Sequence, residues 1–363
     1  MKVIHICQRD DPDSGGSLRV AEALGLEQRA AGVDVWVLFL YGPRSHVCEE
    51  FKDRAICLNL DSSKQAFRGV RSFCSTIRKV NPDIIHSHDG IIWPRLAIMQ
   101  FRIPVVMHSH LPLRSNDSGL GRFLVKHTTK LLVGISLHTI DSWVEDRFPP
   151  SRIHYVPNGV DFQRFKLVAQ SEKKDLRKKL NLPEHKRILL WVGRVHRSMK
   201  GSDRVERVAR LLPDDTILVV VGNGPEYAGM LERCSAEITA GRLIMAGSCS
   251  MPENYYKAAD EFLFTSYHEP FGLVILEAVA SGLPITAFPV TGGGGAVCLL
   301  QEFDALMLED DAADDMLTAM LQRSEERSAQ VLEHRARALE IFSWGSIVAS
   351  VMDVYKIALI RKL

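Results

Sequence analysis

Several features that would narrow the class of this chain at once are missing from it. No run of about 18 or more apolar residues occurs, so no membrane-spanning helix is expected. The first apolar run, VIHIC, is only five residues long, too short for a signal-peptide core, and reads as a first strand. There are 7 cysteines, an odd number at irregular positions (7, 48, 57, 74, 234, 249 and 298), which argues against a disulfide framework or a cysteine-rich metal site. A reducing cytoplasm is the expected location. No short-period repeat, low-complexity tract or complete G-x-G-x-x-G fingerprint is present, so repeat architectures and a simple NAD site are disfavoured. Net charge is only +1, and no nucleic-acid partner is expected.

The 363 residues favour two domains over one core. The small charge is unevenly spread. Residues 1–165 carry 21 Lys and Arg against 17 Asp and Glu, while the remainder carries 24 against 27. Such a bias suits an anionic partner or membrane surface in the first half, or is chance. Arg68, Arg71, Arg78 and Lys79 on an amphipathic segment, with Lys126 and Lys130, are the candidate lipid-phosphate contacts. A solvated helix face is the alternative reading.

Apolar runs alternate with loops and helical spacing throughout. KVIHIC, VDVWVLFL, AICLNL, DIIHSH, IPVVMHSH and LLVGIS read as strands of a parallel sheet covered on both faces. Around IHYVPNGVDFQRF the texture changes, and a charged stretch runs from Lys166 to Arg187. A second alternation follows: ILLWVG, TILVVVG, RLIMAG, EFLFTS and LPITAF. The fold class is therefore α/β, two Rossmann-like domains facing a cleft. Their expected extents are 1–165 and 166–344, followed by an amphipathic C-terminal helix, 345–363.

In open parallel sheets ligands bind at the carboxyl ends of strands. After ILLWVG stand Arg194 and Lys200, two cations suited to a diphosphate, although a solvated basic loop reads equally from the spacing. VVVGNGPE ends a strand with Gly222 and Gly224, either a close approach to a ligand or a plain turn. After EFLFTS, the loop YHEPFG turns into the helix LVILEAVAS, which stops at Gly282 and Pro284. Glu269 then lies in the loop and Glu277 in the helix. Phe271, Gly272 and Leu273 present backbone N–H groups at the helix N-terminus, a seat for phosphate or a sugar hydroxyl. Glu277, among apolar neighbours, needs a partner if buried, or else faces solvent.

In the first domain, Gly15 and Gly16 sit at the first strand-to-helix turn, where backbone amides approach phosphate. Asp11 and Asp13 form a DxD that local turn chemistry explains as well as metal binding. Two HxH pairs end strands, His86 with His88 and His108 with His110, and Asp89 adds a carboxylate. They read either as metal ligands, which would make a metal-dependent hydrolase, or as neutral hydrogen-bonded histidines.

The ordered set GGSLRVAEAL, NPDIIHSHDG, IPVVMHSH, IHYVPNGVDFQRF, WVGRVHRSMKGSDRV, VVVGNGPE, EPFGLVILE and AVASGLPITA resembles the GT-B glycosyltransferases of family 4 over nearly the whole chain. The resemblance implies retaining transfer of a hexose-like sugar, without metal or other cofactor. The donor would be a UDP-, GDP- or ADP-sugar and the acceptor a glycan or lipid-linked molecule, in polysaccharide or lipopolysaccharide biosynthesis. It implies an acceptor-side first domain, with the helix 345–363 packing back on it, and a donor-binding second domain. It assigns Arg194 and Lys200 to the donor diphosphate and Glu277 to the ribose. Glu269 and the Phe271–Gly272–Leu273 backbone go to the transferred sugar, the glycine loop at Gly16 to the donor phosphates, and His110 to the reacting centre. Three positions depart from the family pattern: Pro270 for glycine, Ala296 for a frequent glutamate, and Gly345 for an acidic residue after Trp344. A non-catalytic sugar-nucleotide-binding protein stands as the remaining alternative.

Overall fold

The structure is a computed structural model, described here for residues 1–11, 16–61, 65–88, 90–113, 117–292, 294–308 and 324–360. It divides into two compact units, Met1–Gly159 with Trp344–Leu363, and Val160–Ser343. The dividing points fall at 159 and 343, against the expected 165 and 344. The segment after Gly159 leaves the first sheet immediately: Val160 forms an isolated parallel bridge with Ser343 inside the second unit.

The first unit holds β1 (Lys2–Arg9), β2 (Asp34–Tyr41), β3 (Ala55–Leu60), β4 (Ile84–Ser87), β5 (Val105–Ser109), β6 (Leu131–Gly134) and β7 (Ile153–Tyr155). Their order in the sheet is β3-β2-β1-β4-β5-β6-β7, and every pairing is parallel. These strands read as nearly continuous apolar runs because helices cover both faces. β1 carries Val3, Ile4 and Ile6 at 0–1% exposure, toward two different clusters. Helix Trp344–Ile360 belongs to this unit and packs on helix Gly16–Ala30. It contributes Ile347, Val348, Val351, Val354 and Tyr355 to the same apolar cluster as β1 and β2.

The second unit holds β8 (Arg187–Val192), β9 (Thr216–Val221), β10 (Leu243–Gly247), β11 (Glu261–Phe264), β12 (Ile285–Ala287) and β13 (Leu306–Met307). The order is β10-β9-β8-β11-β12-β13, again parallel. β7 and β13 are strands that the apolar patterning did not show. They are three and two residues long and, unlike the three-residue β12, only partly buried, so no apolar run marks them. In each sheet the strand order reverses beside the unit's first strand, at β1/β4 and at β8/β11. Those are the crevices where ligands enter doubly wound sheets.

Candidate functional site

In the second unit, the chain after β8 and the chain after β9 are pressed together. Gly193 N–H donates to Val221 O at 3.0 Å, Val195 N–H to Asn223 O at 3.0 Å, and Glu226 N–H to Val195 O at 3.2 Å. Gly222 has φ +135°, and a Cβ there would lie 1.9 Å from Gly193 O. A Cβ at Gly224 would lie 2.3 Å from Val195 O. These glycines are explained by the close approach of one loop's backbone to the other's, which is neither a ligand contact nor a plain turn. The contact holds Arg194 on a fixed loop, exposed to solvent, where its guanidinium can meet an anion.

Lys200 ends the one-turn helix Arg197–Lys200 rather than lying in an open loop. That turn is tied to the chain after β11. Thr265 Oγ1 donates to Lys200 O at 2.6 Å and accepts from Trp191 Nε1 at 2.8 Å. Tyr267 N–H and His268 N–H both donate to Met199 O, at 2.9 and 3.1 Å. Beneath them the buried Arg204 donates to Thr265 O and Pro289 O, with its guanidinium 3.8 Å from the Tyr267 ring centroid. The result brings two predicted residues together: Lys200 Nζ donates to Glu269 Oε2 in an ion pair. Glu269 is mostly buried, and its own N–H donates to Gly292 O at 2.8 Å.

Helix Leu273–Ala280 then begins at Gly272, which has φ +99°, a conformation that favours glycine. The first N–H groups of such a helix have no partner within it and carry the positive end of its dipole. Phe271 itself turns its ring inward, 4% exposed, so only its backbone is available there. One turn into the helix, Glu277 is half-buried, and Tyr256 donates its hydroxyl to Glu277 Oε2 at 2.7 Å. Glu277 therefore has a partner within the protein. Tyr256 was not picked out from the sequence: in helix Glu253–Ala258 nothing distinguishes it from Tyr255, and only packing shows that it is 0% exposed beside Glu277. Ala296 is also fully buried and sits by Gly272, 3.5 Å from where a Cβ at that position would be. Lys200 and Glu269 are thus joined in the loop that leads into the helix bearing Glu277, and Arg194 stands exposed on the loop that precedes Lys200.

The remaining predicted residues belong to the first unit. Gly15, Asp13 and Asp89 lie outside the described residues. Gly16 is not in the turn but is the first residue of helix Gly16–Ala30, and it is exposed. Arg68, Arg71, Arg78 and Lys79 are all exposed, as either reading of that segment requires, whereas Lys126 is paired with Asp146 at 2.8 Å. No helix among the described residues is long and apolar enough to cross a membrane.

The HxH pairs do converge, and β1 adds a third strand's histidine, His5, which the sequence reading did not single out. His5 and His86 are register partners in β1 and β4. His5 Nδ1 lies 2.8 Å from His88 Nε2, and His88 Nδ1 lies 2.9 Å from His110 Nε2. His86 Nε2 lies 3.3 Å from His108 Nδ1. The rings are stacked nearly parallel, for example 4.6 Å and 9° for His86 and His88. Burial pushes His5 down to about 4, partly offset by its bond to Gln28, and pushes His110 down to about 4 as well. His86, His88 and His108 fall well below the ordinary range, first by burial and then by repulsion from one another's charged forms. All five are therefore neutral at pH 7.

Comparison with known proteins gives the site its context. The family described as Glycosyl transferases group 1 matches residues 172–338, and Glycosyltransferase Family 4 matches residues 14–164. A UDP-Gal:alpha-D-GlcNAc-diphosphoundecaprenol alpha-1,3-galactosyltransferase of Escherichia coli is 25% identical over 83% of this chain and 81% of its own length. A D-inositol 3-phosphate glycosyltransferase of Xylanimonas cellulosilytica is 30% identical over 58% of this chain and 52%, about half, of its own length. Among solved structures, Anabaena Alr3699/HepE in complex with UDP has a TM-score of 0.84 at 16% identity, covering 98% of this chain and 100% of that one. WaaG, a glycosyltransferase involved in lipopolysaccharide biosynthesis, has a TM-score of 0.73 at 18% identity, covering 97% and 99%. At these identities the solved structures speak for the fold alone.

Proposed function

This chain belongs to the family 4 glycosyltransferases of GT-B fold, and on that premise we propose that it moves a hexose-like sugar from a nucleotide-sugar to a glycan or lipid-linked acceptor, with retention and without a metal ion. The observation that carries the reading is the joined pair Lys200–Glu269 beside the N-terminus of the helix bearing Glu277. Breaking the anomeric bond puts negative charge on the departing diphosphate. Arg194, Lys200 and the N–H groups at Gly272 and Leu273 supply fixed positive charge there, so a divalent cation is not required. Glu269 directs the Lys200 ammonium and accepts from a hydroxyl of the transferred sugar. It acts as a positioning group, not as a nucleophile. Glu277, steadied by Tyr256, accepts from the ribose hydroxyls.

A uridine donor is the first candidate, because the E. coli relative uses UDP-Gal and the HepE structure holds UDP. The same E. coli relative acts on a diphosphoundecaprenol-linked sugar, which favours a lipid-linked acceptor and cell-surface glycan synthesis. The test is a thermal-shift screen of UDP-, GDP- and ADP-sugars on the purified protein. A donor at 100 times its dissociation constant adds about 2.7 kcal/mol of stability. Transfer is then followed with the donor that binds, with and without chelator, and the product's anomeric configuration is read by NMR. Silence from every donor overturns the reading. Loss of transfer in chelator overturns metal independence, and an inverted product overturns retention.

A further inference from the structure

Five histidines of the first unit, His5, His86, His88, His108 and His110, are joined in two hydrogen-bonded strings that meet at one side chain, Gln28. Gln28 is 0% exposed on helix Gly16–Ala30. Its Oε1 lies 2.8 Å from His5 Nε2, and its Nε2 donates to Tyr355 OH at 3.2 Å. One string runs Gln28–His5–His88–His110. The other runs Gln28–Tyr355–His86–His108, with the Tyr355 hydroxyl against His86 Nδ1. The first string, from Gln28 to His110, does not resemble a metal cage. Ligand nitrogens around a tetrahedral ion at about 2.0–2.1 Å would stand roughly 3.3 Å apart with lone pairs converging. Here the nitrogens pair off at 2.8 and 2.9 Å between stacked rings, which is hydrogen-bond geometry.

A neutral imidazole has one donor and one acceptor nitrogen, so a string of them has a direction. A carbonyl oxygen can only accept. With Gln28 Oε1 facing it, His5 carries its proton on Nε2 and leaves Nδ1 bare. His88 must then donate from Nε2 to His5, and His110 must donate from Nε2 to His88. The last ring is left with a bare Nδ1, which has no partner among the described residues, on a partly exposed side chain at the carboxyl end of β5. We propose that Gln28 is a positioning residue that, through His5 and His88, fixes the tautomer of His110, so that His110 offers Nδ1 as a hydrogen-bond acceptor to a hydroxyl of a sugar substrate. The tautomer assignment stands on geometry alone; the role toward sugar rests on the reading of His110 as a substrate contact. The second string answers to the same amide. Tyr355 receives from Gln28 and donates to His86 Nδ1, His86 donates from Nε2 to His108 Nδ1, and His108 keeps its proton on Nε2, a buried atom without a hydrogen-bond partner.

The experiment is nitrogen-15 NMR of histidine-labelled full-length protein at pH 7.5, which reads the tautomer of each ring without reference to activity. All five rings are expected in the Nε2–H form in the wild type. In Gln28→Met, which keeps the length but removes both amide groups, His5, His88 and His110 should lose that single form. Transfer should fall about tenfold in kcat, the worth of one oriented hydrogen bond, with KM for the donor little changed. His110 carrying its proton on Nδ1 in the wild type overturns the proposal, and so does a Gln28→Met spectrum with His110 unchanged. Stoichiometric shifts of the five rings on adding zinc overturn it in favour of a metal site. If Gln28→Met does not fold, the wild-type spectrum alone still decides the tautomer. If the tautomers are as expected but His110→Ala transfers sugar normally, the relay stands and the substrate role of His110 falls.

Discussion

At the residue scale the site is a set of paired groups, and the pairs predict unequal consequences. Tyr256→Phe removes only the hydroxyl that steadies Glu277 Oε2. A hydrogen bond to a charged acceptor contributes about 1.5–3 kcal/mol. The expected outcome is a donor KM raised roughly ten- to a hundredfold with kcat nearly kept, read from steady-state kinetics; an unchanged KM would detach Glu277 from the donor. Glu269→Ala has a second effect, since it frees a Lys200 ammonium that is about a quarter exposed. Transfer should fall by more than in Glu269→Gln, which keeps an acceptor oxygen for both partners. Equal losses in the two variants would separate Glu269 from the sugar hydroxyl. That Arg194 and Glu269 stand in loops after β8 and β11, and Glu277 in the helix that follows, was legible from the apolar runs and the glycines between them. Tyr256 and His5 were not, since a core tyrosine and a mid-strand histidine carry no local mark of what they will touch.

At the element scale, the loops after β8 and β9 behave as one piece because two glycines let their backbones meet. Gly222→Ala would place a Cβ 1.9 Å from Gly193 O at a φ of +135° that alanine resists. A cost of about 2–4 kcal/mol is expected, above the usual range for surface changes, together with displacement of Arg194. Urea denaturation measures the first and donor KM the second; a variant of wild-type stability would overturn the packing account. The longer strands stood out as apolar runs, and so did the three-residue β12 inside LPITAF, whereas β7 and β13 are short and only partly buried and lie in no such run. The helix Leu273–Ala280 was legible at both ends for a chemical reason. Gly272 and Gly282, at φ +99° and +75°, mark its start and stop.

At the scale of the whole molecule, the second unit is inserted between β7 and the last helix of the first. Deleting residues 344–363 removes Ile347, Val348, Val351, Val354 and Tyr355 from the first unit's core. At about 1.5–3 kcal/mol per side chain this loss is of order 10 kcal/mol, comparable with the whole stability of a domain. The truncated chain should lose the circular-dichroism and solubility signature of a folded first unit, and soluble, donor-binding truncated protein would overturn this. The buried histidines also give the fold a pH dependence. Unfolded, each binds a proton below about 6.5; folded, His5 and His110 do so only near 4. Between those values the unfolded chain holds more protons, so stability is fully present above about pH 6.5 and is lost as pH falls toward 4. Denaturant midpoints at pH 7.5, 6.5, 5.5 and 4.5 should fall in that order, and a flat profile would mean that the array is already charged or is solvated.

The sequence by itself determined the alternation of strands and helices, the two α/β sets, and the side chains that follow β8 and β11. Each of these is written in local patterns of apolar spacing, glycine and charge. Tertiary structure alone decided which of those groups touch. Lys200 meets Glu269 across 69 residues and Tyr256 meets Glu277 across 21. Gln28 reaches Tyr355 across 327, so one amide governs histidines from three strands. Parallel sheets bring together residues that are far apart in the chain, and the proton positions on those imidazoles follow from the partner each one finds.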